Sequence, residues 1–220
     1  MELSVDVIGL LILAAIIFFK LKNKRIRKEA TANRQLAEEG VASAQSRLGM
    51  MYVKGRGVSQ DYQEAIKWYR LAAEQGDIQA QYTLGSMYSK GQGVSQDNEE
   101  GVKWYLLAAE QGDAKAQYTL GLKYSSGEGV PKDDKEAVNW FHLAADHGNV
   151  SALDNLGVAY ADGRGVSKDY VEALKWFILG AARYIQSASR NQNVVAEKMT
   201  PSQIETARKL ANEWKPKKRD

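Results

Sequence analysis

Residues 42–77 read ASAQSRLGMMYVKGRGVSQDYQEAIKWYRLAAEQGD, and the units at 78–113 and 114–149 align with them without a gap. A fourth unit starts at Val150, keeps register to Trp176 and drifts after Leu179. Trp68, Trp104, Trp140 and Trp176 mark the 36-residue beat. A Gly-x-Gly-Val loop keeps it too, with Gly55 and Gly57, Gly91 and Gly93, Gly127 and Gly129, and Gly163 and Gly165. A fixed period of this size is the signature of a stacked repeat array. Such an array grows in one dimension and offers a long concave surface to partners. It argues against a cleft lined with catalytic groups.

Each unit reads as two helices. Ala44, Leu48 and Tyr52 fall four apart on the first, which makes one helical stripe. The Gly-x-Gly loop ends it, because glycine takes the positive φ of a tight helix stop. Asp61 then stands where an N-cap is wanted, since its carboxylate accepts orphan N–H groups of a first turn. The second helix carries Ala65, Trp68, Tyr69, Ala72 and Ala73, the spacing of an amphipathic helix packed along one face. Small alanines and Gly49 let helix backbones approach, and Trp and Tyr fill the remaining volume. The residues fixed across units are the expected structural core of the repeat. They are Leu48, Leu84, Leu120 and Leu156, the four tryptophans and all eight loop glycines.

The pattern Ala-x-Ala-Gln-x-x-Leu-Gly-x-x-Tyr, then Gly-x-Gly-Val-x-x-Asp, then Ala-x-x-Trp-Tyr-x-x-Ala-Ala-x-x-Gly resembles the Sel1-like repeat, a relative of the tetratricopeptide repeat. It stands here from Ala42 to Gly76, from Gln79 to Gly112 and from Lys115 to Gly148; the fourth unit departs from it at Leu153 and Gly180. The resemblance covers about residues 37–180. It implies an α/α solenoid that serves as an adaptor for protein complexes, with the first helix of each unit on the concave face.

Both ends of the array read as caps. Residues 29–40 match a lone second helix, and Thr200-Pro201-Ser202-Gln203 is a strong helix start, with Thr at the N-cap, Pro at the first position and Gln at the third. Ile204, Ala207, Leu210, Ala211 and Trp214 then form an apolar face ready to cover the last repeat. Residues 181–198 read as helical, with Ser187 to Asn193 as a candidate break.

The N-terminal stretch is different. Residues 7–19 (VIGLLILAAIIFF) carry no polar side chain. Thirteen helical residues reach about 20 Å, against about 30 Å of hydrocarbon, so the expected transmembrane helix extends over 7–21. Glu2 and Asp6 precede it, and Lys20, Lys22, Lys24, Arg25, Arg27 and Lys28 follow it as a membrane-interface basic cluster, suited also to anionic lipid. Lysine and arginine stay on the cytoplasmic side. The expected location is thus a single-pass membrane protein with its repeats in the cytoplasm of a bacterium.

The resulting plan has an extracytoplasmic segment (1–6), the span (7–21), and a basic juxtamembrane segment with its capping helix (22–41). Repeats follow at 42–77, 78–113, 114–149 and 150–185, then capping helices (186–214) and a basic tail (215–220).

Charge and composition exclude other chemistry. The formal charge of +3 comes from the ends: residues 1–28 carry +4, the tail carries +3, and the body between is −4. A basic groove for nucleic acid is therefore not expected. The chain has no cysteine, which removes disulfides and thiolate metal sites. The Gly-x-Gly-Val loops lack the strand, third glycine and Lys-Ser/Thr of a phosphate cradle. His142 and His147, the only histidines, sit five apart, a poor metal spacing without a third ligand. No catalytic, metal or cofactor-binding residue is expected, and the chain reads as a non-enzyme.

First-helix positions that change from unit to unit are the candidate partner contacts: Tyr82, Tyr118, Arg47, Met51, Met87, Lys123, Asp154 and Asn155. Tyr82 and Tyr118, one period apart, suit an aromatic hot spot, or else pack between neighbouring helices. The leading reading is a membrane-anchored interaction adaptor with protein partners of unknown identity. Two alternatives stay open: an extracytoplasmic enzyme or peptidoglycan-related envelope factor, and a quality-control adaptor of the endoplasmic reticulum lumen.

Overall fold

The computed structural model describes residues 5–217, with side chains from Ile17 onward. Among the described residues it contains eleven α-helices and no strand, in keeping with the all-α helical-repeat class that the period implies. They are α1 (Val5–Glu38), α2 (Ala42–Lys54), α3 (Tyr62–Glu74), α4 (Ile78–Lys90), α5 (Asn98–Glu110), α6 (Ala114–Ser126), α7 (Asp134–Asp146), α8 (Ser151–Asp162), α9 (Tyr170–Ala181), α10 (Gln186–Ala196) and α11 (Pro201–Glu213). The chain divides into two compact units, one of Met1–Leu84 with Gln92–Ser95, the other of Gly85–Gly91 with Gln96–Asp220.

Local chemistry sets the helix ends. Gly55 closes α2 in the left-handed region at φ 60 and ψ 32, a conformation that costs a residue with a side chain about 1 kcal/mol or more. Asp61, Asp97, Asp133 and Asp169 cap α3, α5, α7 and α9, each side chain accepting a backbone N–H from the first turn. Loss of one such cap costs about 1 kcal/mol.

The expected core is corrected at the first glycine of three loops. Gly55, Gly127 and Gly163 are exposed, and so lie outside the core. They stand just past the last turns of α2, α6 and α8, where the chain leaves the packed helix pair, and each serves as the C-cap of its helix. What fixes them is the turn, not burial. The other loop glycines, Gly57, Gly91, Gly93, Gly129 and Gly165, are half-buried. The tryptophans divide in the same way. Trp176 is buried, but Trp68, Trp104 and Trp140 are half-buried at the edge of the packing. The indole N–H of Trp104 donates to Glu100 Oε1 at 3.0 Å, one turn back on α5, so its polar edge stays with a polar partner.

In the first unit α1 packs on α2 through Ala30, Asn33 and Ala37, and α2 packs on α3. Leu48 is fully buried, with Ala37, Ala44, Tyr52 and Trp68 around it. A Cβ on Gly49 would meet the Tyr69 ring at 3.0 Å, so the small residue is what seats that tyrosine. Burial, then the Asp77 charge, pushes the Tyr69 hydroxyl up to about 12, so it stays neutral in the core.

The glutamine near the start of a first helix works as a hook. Gln45 Nε2 donates to the Ala37 carbonyl at 3.1 Å, and Gln81 Nε2 donates to the Ala73 carbonyl at 3.0 Å. Both carbonyls lie in the last turn of the preceding second helix, where acceptors lack intrahelical donors. In the second unit Gln117 Nε2 does the same to Ala109 at 2.9 Å. At the equivalent position of the fourth repeat stands Leu153, 1 % exposed, and a hydrophobic contact replaces the hook.

In the second unit α6 packs on α7 and α8 on α9, while α10 and α11 cover α9. Leu120 and Leu156 are fully buried, and the Phe141 and Phe177 rings lie where a Cβ on Gly121 and Gly157 would stand. Trp176, 2 % exposed, makes an edge contact with Trp214 at 5.6 Å between ring centroids, so the C-terminal helix caps the array through that pair. α11 opens with a capping box between Thr200 and Gln203. The Ser- and Asn-rich stretch read as a candidate break lies inside α10. The turn comes earlier, at Tyr184, which takes φ 63. Asp154 holds α10 in place by accepting from Ser187 Oγ at 2.7 Å and Asn191 Nδ2 at 3.3 Å.

The membrane expectation is corrected. Among the described residues no helix is long and apolar enough to cross a membrane. This overturns the transmembrane helix at 7–21, the single-pass location with repeats in the cytoplasm, and the anchor that went with them. The physical reason lies in α1 itself, a helix of 34 residues. Its apolar run ends at Phe19, and the helix continues unbroken through Lys20, Lys22, Lys24, Arg25, Arg27 and Lys28, all exposed, to the face that packs on α2. Thirteen apolar residues fall short of about 30 Å of hydrocarbon. The basic cluster is thereby the solvated side of a helix that belongs to the array, and its reading as a lipid contact is left without support. Residues 1–4 and the side chains of 5–16 lie outside the described residues.

Candidate partner-binding face

Partner contacts have to come from side chains that the helix pairs do not use for packing. On α2, Arg47 is exposed beside the fully buried Leu48. Met51 is 3 % exposed, takes a contact from Asn33 Nδ2 at 3.9 Å and belongs to the packed face. Tyr82 is half-buried and engaged. Beside it the Thr83 hydroxyl donates back to the Gln79 carbonyl at 2.7 Å.

In the second unit Met87 is 2 % exposed. Tyr118 is half-buried, its ring 5.9 Å from that of Phe141, and its hydroxyl accepts from Asn155 Nδ2 at 3.4 Å. The structure thus brings Tyr118 of α6 and Asn155 of α8 together across neighbouring first helices. Lys123 donates to Asn98 Oδ1 at 3.2 Å and pairs with Glu128 at 2.7 Å. The hydrogen bond from Lys123, then its charge, hold the exposed Glu128 carboxyl below the usual range. Asp154 faces α10 as described above. The result in this unit is a polar row, Tyr118–Asn155 followed by Asp154 with Ser187 and Asn191, along successive first helices.

Leu107 and Leu143 escaped the sequence reading. They are 43 % and 40 % exposed at the same register on α5 and α7, and in the first unit Leu71 on α3 is 44 % exposed. The signal was present, a leucine one period apart, but it was indistinguishable in the sequence from the packed leucines.

The histidines are internal supports. His142 Nε2 lies 3.2 Å from the Tyr160 hydroxyl, and its ring meets those of Tyr160 and Trp176 edge-on at 6.0 and 5.3 Å. His147 Nδ1 lies 2.8 Å from Gln117 Oε1 and completes the partners of that glutamine hook. Among the described residues no three His, Cys, Asp or Glu side chains gather as a metal cluster. Burial first, then the Lys175 charge, push the His142 imidazole below the usual histidine value, against the pull of Asp146 and Glu172.

A group whose folded value is depressed contributes stability above its unfolded value, about 6.5 for histidine, and loses it as pH falls through that value toward the folded one. Urea midpoints should therefore fall between about pH 7.5 and about pH 5.5. His142→Gln, which cannot take the proton, should flatten that slope. An unchanged slope in the variant would show that other groups set it.

The Sel1 repeat family model matches residues 42–77, 78–113, 114–149 and 150–184. The chain is similar to the crystal structure of a Sel1 repeat protein from Oxalobacter formigenes, with a TM-score of 0.73 and 33 % identity over 91 % of this chain and 81 % of that one. It is also similar to a protective antigen present in uropathogenic Escherichia coli strains, which displays an SLR fold. That match has 28 % identity and a TM-score of 0.45, over 86 % of this chain and 56 % of that one. Cysteine rich protein B of Helicobacter pylori matches at 23 % identity and a TM-score of 0.49, over 58 % of this chain and 94 % of that one. Comparison with curated proteins gives no match.

Proposed function

The chain belongs to the Sel1 repeat family, and on that premise we propose that it is an interaction adaptor that holds a protein partner on the outward side of its first helices. Proteins of this family generally mediate protein–protein interaction, and the repeat is typically a non-catalytic scaffold. The observation that carries the finer reading is the contrast within one helix. Leu120 and Leu156 are fixed and fully buried, while the side chains next to them, Thr119 and Asn155, change between repeats and stay accessible. The proposed face in the second unit centres on Thr119 and Asn155, with Tyr118 beside them; Lys123 and Asp154 are held within the fold and lie outside it. On α2 of the first unit, Arg47 is the corresponding contact. The buried Met51 and Met87 are left out of it.

A photo-reactive phenylalanine analogue placed at Thr119 on α6 tests this against one at Asn139, which is exposed on α7. Cross-linking to a protein partner should come from Thr119 and be much weaker from Asn139, because the yield follows the distance of the probe from the partner. Equal yield from both positions, or yield from Asn139 alone, would place the interface elsewhere. Thermal melting of both variants checks that neither substitution disturbs the fold.

A further inference from the structure

In each repeat the second loop glycine sits against the preceding helix, within α1 for the first repeat and at the first turn of α3, α5 and α7 for the others. Gly57 meets the Ile26 carbonyl and Gly93 meets Tyr62 in the first unit; Gly129 meets Asn98 and Gly165 meets Asp134 in the second. These four contact positions, 26, 62, 98 and 134, keep the 36-residue register, and the next position in it is Tyr170 at the start of α9. No glycine loop reaches Tyr170. α10 holds the place of a fifth first helix, but residues 197–200 link it directly to α11, and the register position of the loop valine is Ser202, exposed on α11. Val166 packs on the cluster that contains Ala137, Val138 and Phe141; over Ala173, Leu174 and Phe177 no loop valine stands, and Met199 and Ile204 pack there instead.

The gap left by the missing loop is a cavity of about 250 Å³. Its apolar wall is Val158, Ala161, Phe177, Val194 and Val195, of which Val194 is 53 % exposed. Two ammonium groups rim it: Lys168 Nζ lies 4.9 Å and Lys198 Nζ 5.7 Å from the centroid of the Tyr170 ring. The acid on the rim, Asp162, is paired with Arg164 at 3.3 Å. Among the described residues neither Lys168 nor Lys198 makes a close ion pair with a carboxylate, although Lys168 is hydrogen-bonded to Tyr170 and feels the charge of Asp162. The pocket thus joins an apolar wall to two lysines and one acid. It is smaller than the roughly 300–1,000 Å³ of a drug-sized ligand site, which suits one or two residues of a peptide.

We propose that this vacated loop socket binds the carboxyl terminus of a partner polypeptide that ends in an aliphatic residue. The side chain lies against Val194, Val158 and Ala161, the accessible part of the apolar wall, and the terminal carboxylate lies at Lys168 and Lys198. Lysine acts here as a compact point charge on an anion, and capture of a terminal carboxylate is a recurring mode of peptide recognition. The site lies at the end of the array, on side chains separate from the first-helix face.

The full chain, labelled with ¹⁵N, is titrated with acetyl-Gly-Ser-Gly-Ser-Gly-Val bearing a free carboxylate, and with the same peptide as its C-terminal amide. The free acid should shift the amide signals of α10 around Val194 and Val195 and saturate at about millimolar concentration or below, and the amide should bind at least about tenfold more weakly. Lys168→Met with Lys198→Met should cause a similar loss with an unchanged melting temperature. Equal binding by the amide would overturn carboxylate recognition. Shifts confined to other helices, or none at several millimolar peptide, would overturn the site itself.

Discussion

Phe177→Ala is expected to cost about 3–5 kcal/mol of stability, the range found when a buried aromatic is truncated and a cavity remains. Phe177 is 1 % exposed and among the largest fully buried side chains. Its ring packs with Ala173 and Leu174 of α9, Ala188 and Val195 of α10 and Ala207 of α11, and it fills the space that Gly157 leaves open on α8. Truncation therefore removes a contact shared by four helices. Leu143→Ala is the control, since Leu143 is 40 % exposed and surface changes of that kind stay near 0.5 kcal/mol or less. Urea melts of both variants decide the matter. A loss below about 1.5 kcal/mol at Phe177 would mean that α9, α10 and α11 share no tight core.

Gly165→Ala should be the second large effect. Gly165 has φ 70, so any side chain there takes up left-handed strain of about 1 kcal/mol or more. A Cβ would also run into the Asp134 carbonyl and the Lys135 N–H, both backbone atoms at the start of α7. Backbone yields less readily than a flexible side chain, and overpacking of this sort adds about 1–3 kcal/mol. Gly148 separates the two contributions. Its φ is 87, but nothing lies within 4 Å of the Cβ position. Gly148→Ala should then cost about 1 kcal/mol, and Gly165→Ala about 2–4 kcal/mol. Equal losses would show that the loop can move off α7, and that the glycine serves only the turn.

The period and the small residues were readable because each reports on a few neighbouring residues. Asp61, Asp97, Asp133 and Asp169 act within their own first turn, and Gly55 acts on the last turn of α2. Recurrence did not say why a residue recurs. Gly127 and Gly163 repeat as faithfully as Leu120 and Leu156, yet the glycines are exposed turn residues and the leucines are buried. Hydropathy was the signal that misled. A run of thirteen apolar residues was extended to Leu21 on the strength of its flanks. α1 carries that run straight into the basic and packed stretch up to Glu38, and no helix among the described residues meets the length and apolarity of a span. An apolar count says what a helix side prefers to avoid, and says nothing of where the helix ends.

The candidate site was less legible for a related reason. Tyr118 and Asn155 come from different first helices, and their contact needs the packing of α6 and α8 to exist. The choice between a tyrosine held among helices and one free for a partner cannot be made from spacing, which is identical for both. Only the fold shows that Met51 and Met87 face inward while Arg47 faces out, although all lie on first helices of the same sequence pattern.

By itself, the chain of residues determined the helical pairs, their caps and their 36-residue register, since glycine conformation, capping and amphipathic spacing act over one or two turns. The tertiary structure decided what happens where that register stops. Lys168 and Lys198 each come to the Tyr170 ring where α10 leads on to α11 without a glycine loop. That juxtaposition depends on which helix packs on which, and on a missing loop, which no local propensity records.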